Sequence, residues 1–162
     1  FAAWRQFGMY EKEDSAVIGT NAKMTEFHAA MGICNLRHLE EEILKRKKAV
    51  TRYMERLEGQ KGIKLNPVQR GVTSNYAYFP VVFDPVNFGK TRDEVIDYLE
   101  KNGIYARRYF HPLTSEMTCM KGRRVQSTPI AKDISERVLT LPLFADMTQE
   151  MVDRVCDVVL EK

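Results

Sequence analysis

Two short stretches of this sequence combine side chains of the right type with neighbours that could put them to chemical use. Asn21 stands just ahead of an expected helix start, where its amide adds to backbone N–H groups and the positive end of a helix dipole, a combination suited to a phosphate. Lys23 brings an ammonium group to the same stretch, either as a charge near that phosphate or as half of a surface salt bridge. The second stretch is Arg107-Arg108-Tyr109-Phe110-His111. Alternate side chains of a strand face opposite ways, so at most one of Arg107 and Arg108 can enter a given site. A guanidinium fork on either one matches the oxygens of a diphosphate. His111 would close that strand, a usual place for side chains that meet a substrate. The plainer readings stand beside these: Asn21 as a capping or turn residue, and His111 as an exposed one.

Other chemistry is poorly represented. No His, Cys, Asp and Glu set has metal-ligand spacing, and neither type of glycine-rich phosphate loop occurs. His28 fits a packed or interfacial position on the expected helix better than a ligand, and His38 an exposed one. The three cysteines, Cys34, Cys119 and Cys156, are widely spaced and odd in number, which reads as reduced thiols in a cytoplasmic protein. The net charge is +3, so nothing in the balance demands a nucleic acid or a membrane surface. The basic runs 45–48 and 121–124 are short, the first is offset by Glu40, Glu41 and Glu42, and no DNA- or RNA-reading motif accompanies them. They read as solvated faces. No apolar stretch approaches the length of a membrane span, and the start at Phe1 has no signal-peptide pattern; without a methionine it reads as a processed chain or a fragment.

The elements that must position these residues follow from periodicity. With 162 residues, 44% of them hydrophobic and 29% charged, the chain is long enough for one domain with its own core, or for one domain and a protruding element. Between 25 and 58, Phe27, Met31, Cys34, Leu36, Leu39, Ile43, Val50, Tyr53, Met54 and Leu57 recur at three- and four-residue intervals, predicting an unusually long helix or two end to end. Thr25 is the expected N-cap, and Gly59 and Gly62 the stop. A strand is expected over 76–83, with Pro80 arguing for an edge or a bulge. Thr91 to Glu94 reads as a capping box opening a helix that Asn102-Gly103 ends, and 104–110 as a second strand. After an exposed loop over 117–127, Thr128-Pro129 starts a helix, 139–143 makes a short strand, and 148–160 a last amphipathic helix. This order predicts an α+β layer in which helices cover a short sheet. The natural boundary lies at 59–71.

Four stretches together resemble the DegT/DnrJ/EryC1/StrS family of nucleotide-sugar aminotransferases. They are Gly19, Asn21, Lys23, Met24, Glu26, Ala29, Ala30 and Gly32 in a G-x-N-x-(R/K)-M-x-(E/D)-x-x-A-A-x-G pattern; Arg46 with Tyr53; Tyr109 with Pro112-Leu113; and Leu141-Pro142-Leu143. The resemblance extends along essentially the whole chain.

The resemblance implies the aspartate aminotransferase-like fold of type I pyridoxal-phosphate enzymes. The chain would hold the end of the large cofactor domain over 1–24, a long interdomain helix over 25–59 and the small C-terminal α+β domain over 60–162. It implies pyridoxal 5'-phosphate as cofactor, with Asn21 and Lys23 toward the phosphate, and Arg107, Tyr109, Phe110 and His111 toward the nucleotide sugar. Lys23 stands where many relatives have arginine, and its surroundings lack the motif of the Schiff-base lysine. That lysine and the acid facing the pyridine nitrogen belong upstream in the family pattern, so no catalytic residue is expected within this chain. The implied reaction moves an amino group from L-glutamate to a keto-deoxysugar nucleotide, with dTDP-linked 3- or 4-keto-6-deoxy sugars favoured, in a cytoplasmic homodimer acting toward cell-surface polysaccharide. A nonenzymatic binding or regulatory relative of the same fold is the alternative.

Overall fold

The computed structural model describes residues 2–10, 15, 17–67 and 69–161. The expectations about the chain start and about 1–24 as the end of a domain fall partly on 1, 11–14 and 16, outside these residues. The chain forms two compact units, Phe1–Glu40 and Glu41–Lys162. The division falls inside the long helix.

In the first unit a single turn of helix, α1 (Ala2–Arg5), leads into isolated antiparallel bridges, Gln6 with Asn21 and Met9 with Ser15. The chain then enters α2 (Glu26–Leu57), which runs unbroken for 32 residues. Thr25 caps it as expected: its Oγ1 accepts the His28 N–H at 3.3 Å and lies 2.7 Å from His28 Nδ1. His28 is therefore an exposed partner of the cap and not a packed residue. Acid-before-base order on the helix surface gives the expected pairs, with Lys45 Nζ 3.3 Å from Glu41 and 3.0 Å from Glu42.

In the second unit the later turns of α2 supply Ala49, Tyr53 and Leu57, four residues apart and buried, so one stripe of the helix faces the core. The sheet is antiparallel in the order β1-β2-β3, from β1 (Ile63–Leu65), β2 (Phe79–Phe83) and β3 (Val138–Leu141). Between them run α3 (Pro85–Phe88), α4 (Arg92–Lys101) and α5 (Pro129–Arg137), and α6 (Gln149–Leu160) closes the chain. The inward side chains Val81, Phe83, Leu139 and Leu141 join Leu57, Leu99 and Val152 in one cluster. Each large apolar side chain so buried stabilises the fold by roughly 1.5–3 kcal/mol before the entropy of ordering it is counted.

The Thr91 cap holds as expected. Thr91 Oγ1 accepts from the Glu94 N–H while the Glu94 carboxylate accepts from the Thr91 N–H, a complete capping box. Thr148, for which no cap was expected, also accepts from the Met151 N–H to start α6. Thr128 precedes a helix that opens at Pro129, but its hydroxyl makes no cap bond, so the proline alone sets that start.

Other expectations are corrected. Pro80 lies in the central strand, not at an edge or bulge. Its partner Thr140 turns both backbone groups away from β2, donating to and accepting from Arg107. The backbone of Pro80 therefore faces β1, and β1 has already ended, its last pair being Leu65 with Val81. No ladder bond is lost. The expected strand over 104–110 shrinks to one antiparallel bridge, Arg107 with Thr140. Directly after it the Tyr109 N–H bonds the Arg107 carbonyl at 2.9 Å and the His111 N–H bonds the Arg108 carbonyl at 2.7 Å, so local turns take the groups a ladder would need. The last strand ends at Leu141 and not at 143, because Pro142 has no N–H to donate. Of two short 3₁₀ turns, Thr114–Glu116 precedes the expected exposed loop and Thr118–Met120 occupies its start.

Candidate functional site

The bridge at Arg107 decides what the following side chains do. With its N–H and C=O both exchanged with Thr140, at 3.1 and 2.8 Å, the backbone is fixed there, and the turn after it throws Tyr109 back over the sheet end. The Arg107 guanidinium lies 5.4 Å from the centre of the Tyr109 ring and donates through Nη1 to the Tyr109 hydroxyl. This hydrogen bond raises the already high pKa of Arg107, which is charged at any working pH. Tyr109 stacks on Phe110 with ring centres 4.8 Å apart and planes 7° from parallel. Tyr78 meets both rings edge-on, at 5.7 and 6.1 Å. The peptide bonds Tyr109–Phe110 and His111–Pro112 are both cis.

A cleft of about 250 Å³ opens beside this cluster, walled by Tyr78, Tyr105, Arg107, Tyr109, Thr140 and Leu143. Of the four residues that the sequence pointed to here, Arg107 and Tyr109 line the cleft. Phe110 covers the far face of Tyr109 and is 68% exposed. His111 is half-buried and lines no part of that cleft; its Nδ1 is enclosed with no hydrogen-bond partner among the described residues. Arg108 turns the other way and donates through Nε to Asp93 at 2.8 Å. The expectation that the two arginines diverge therefore holds, and the diverging pair leaves Arg107 on the cleft. Tyr78, Tyr105 and Thr140 were not singled out by sequence; Tyr78 read as an ordinary strand aromatic, and only the fold brings it against Tyr109.

In the first unit, Asn21 pairs through its backbone with Gln6, and its exposed side-chain amide makes no hydrogen bond among the described residues. The cap of α2 is Thr25, so the plainer reading of Asn21 as the helix cap fails. Lys23 is exposed, with its ammonium 4.6 Å from the centre of the Phe7 ring. The extended run around Asn21 is laid down by Gly19: a Cβ there would stand 2.1 Å from the Gly8 nitrogen and 2.7 Å from its Cα, so only glycine admits the two backbones at this approach. Among the described residues no group of His, Cys, Asp and Glu could hold a metal ion, and no helix is long and apolar enough to cross a membrane.

The sequence profile of the DegT/DnrJ/EryC1/StrS aminotransferase family matches residues 2–160. The chain belongs to this family. Among its relatives is the dTDP-4-amino-4,6-dideoxy-D-glucose transaminase of Escherichia coli, 36% identical over 161 residues, which are 98% of this chain and 43% of that enzyme. The GDP-perosamine synthase of Caulobacter vibrioides is 28% identical over 143 residues, 86% of this chain and 37% of the enzyme. The crystal structure of DesI in the presence of its TDP-sugar product superposes with a TM-score of 0.88 at 30% identity, covering 98% of this chain and 41% of DesI. The chain thus spans less than half the length of the family members it matches. Its architecture is an α+β arrangement with a small sheet.

Proposed function

We propose that this chain is the C-terminal part of a pyridoxal-phosphate-dependent aminotransferase that moves an amino group from L-glutamate to a keto-deoxysugar nucleotide, a dTDP-linked keto-6-deoxyhexose. In this reading 1–24 ends the cofactor domain, 25–59 is the interdomain helix, 60–162 is the small domain, and the working enzyme is a cytoplasmic homodimer. The observation that carries it is the cleft at Arg107. A permanently charged guanidinium, braced by the Tyr109 hydroxyl and framed by tyrosines, suits the phosphates and the flat or hydroxylated parts of a nucleotide sugar. The likeness to a dTDP-amino-sugar transaminase along 98% of the chain supports the same substrate class.

The residues of the first unit fit the phosphate of the cofactor. Asn21 offers an amide that makes no hydrogen bond among the described residues, Lys23 an ammonium, and the start of α2 the positive end of a helix dipole. When bound, pyridoxal phosphate supplies the electron sink for amino transfer. Asn21 and Lys23 hold its anionic end, Arg107 and Tyr109 orient the nucleotide sugar, and Phe110, stacked on Tyr109, backs that ring from outside the cleft, while His111 has no part in the cleft wall. The lysine that carries the cofactor and the acid facing its ring are assigned outside this chain.

Calorimetric titration of dTDP into the intact protein tests the substrate half of this reading. Arg107→Ala should weaken binding about 10- to 100-fold, the range of one charge-assisted contact. Unchanged dTDP affinity in that variant would remove Arg107 from the nucleotide site and the reading with it.

A further inference from the structure

Of the shared charges outside the cleft, one group reaches directly into the segment that builds it. Asp93, in the first turn of α4, accepts from Arg92 Nε at 2.9 Å and from Arg108 Nε at 2.8 Å on the same oxygen, Oδ1. Arg92 is itself only 5% exposed, and its Nη1 donates to the carbonyl of the buried Ser135 at 2.9 Å. The chain of contacts therefore runs from α5 through Arg92 to Asp93 and on to Arg108, the residue between Arg107 and Tyr109.

We infer that Asp93 is a positioning residue for the nucleotide-sugar site, holding Arg108 on the outer side so that Arg107 and Tyr109 stay on the cleft; this rests on the substrate reading above. The stability that an exposed ion pair contributes is small, and Arg108 and Asp93 are 43% and 57% exposed. Orientation is another matter. Arg107 is pinned by its backbone to Thr140 and the Tyr109 and His111 N–H groups close the turn after it, so the side chain of Arg108 is the contact that ties this turn to α4. Its anchor is preorganised, because Arg92, which holds Asp93, is itself held by the Ser135 carbonyl. Burial works to raise the Asp93 carboxyl, but the hydrogen bonds from Arg108 and Arg92 outweigh it and hold the group below the usual carboxylate range, so it stays ionised. Nothing in the sequence marks the contact, since it joins residues 15 apart through a fold-dependent meeting.

The test is a double-mutant cycle in the intact protein with Asp93→Asn, Arg108→Met and both together, read by dTDP affinity and by near-ultraviolet circular dichroism of the tyrosine cluster. Each single variant should weaken dTDP binding roughly tenfold and reduce the aromatic signal alike, and the double variant should be no worse than either, as for residues acting in one network. In turnover, the apparent KM for the nucleotide sugar should rise while the half-reaction with L-glutamate keeps its rate, and Asp93→Glu should recover part of the loss. Arg108→Met leaves α4 intact, so it separates positioning from any helix-start role of Asp93. Additive effects of the two substitutions, or wild-type affinity and wild-type dichroism in Arg108→Met, would overturn the proposal. Absence of dTDP binding in the unsubstituted protein would defeat the substrate reading instead, and the dichroism of the same variants would still decide whether Asp93 holds the turn.

Discussion

The hydroxyl of Tyr53 donates to the carbonyl of Pro142 at 2.9 Å, joining the long helix to the end of the last strand across 89 residues of sequence. Tyr53 is fully buried, and its ring stacks on Phe79 with centroids 4.7 Å apart. Tyr53 and Leu141-Pro142-Leu143, two of the stretches on which the sequence resemblance rests, are thus one contact in space, and Leu143 walls the cleft. Burial keeps the phenol un-ionised by pushing its pKa far up.

Substitution at Tyr53 should separate the ring from the hydroxyl. Tyr53→Phe keeps the stack and loses one bond, so urea unfolding should show a loss of about 1 kcal/mol. Tyr53→Ala opens a core cavity and should lose about 3–5 kcal/mol. Equal losses in the two variants would mean that the hydroxyl and not the ring carries the stability.

The α2–α6 contact should make the fold acid-sensitive. Asp153 accepts from Arg52 at 2.8 and 3.0 Å and from Arg56 at 2.7 Å. The Arg52 hydrogen bond, opposed by burial and helped by Arg56, holds the carboxyl below its ordinary value. A group depressed in the folded state contributes stability above its unfolded pKa, near 4, and that contribution fades as pH falls through the folded value. Asp153→Asn should therefore be less stable than wild type at pH 7 and lose less stability between pH 5 and 3. Parallel pH profiles for the two proteins would contradict this.

Gly19 should not tolerate a side chain. The atoms in the way are the backbone of Gly8, which has no rotamer with which to retreat. Hydrogen exchange of Gly19→Ala should speed up over 17–25 and stay at wild-type rates in β2, β3 and α6. Unaltered protection over 17–25 would show that the two backbones need not meet.

Thiol reactivity should follow burial. Cys156 is fully buried among the α6 core residues, and burial, opposed by Arg56, pushes its thiol up to about 12. It should resist alkylation at pH 8 until the protein unfolds, while the exposed Cys119 reacts in the folded state. Modification of Cys156 under native conditions would show that α6 opens locally.

The elements that depend on local rules were legible in the sequence. The Thr91–Glu94 capping box, the Pro129 helix start, the Thr25 cap and the stripe through Tyr53 and Leu57 each follow from neighbouring residues or from one period. What escaped depends on partners far along the chain. Pro80 is admissible centrally only because β1 stops at Leu65, and the expected strand after Ile104 fails because the turns at Tyr109 and His111 take its backbone groups. β1 itself is three residues long, too short to show a period. At the candidate site, residue types pointed to Arg107 and Tyr109, but the cleft they line with Tyr78 and Thr140 is a tertiary product. The choice of Arg107 over Arg108 likewise waited on Asp93.

The most direct test of the aminotransferase reading is the absorption spectrum of the intact protein with pyridoxal phosphate, recorded before and after L-glutamate. The account predicts a protein-bound cofactor band that glutamate bleaches, with the band weakened in Asn21→Ala. A folded intact protein that retains no cofactor band would contradict it.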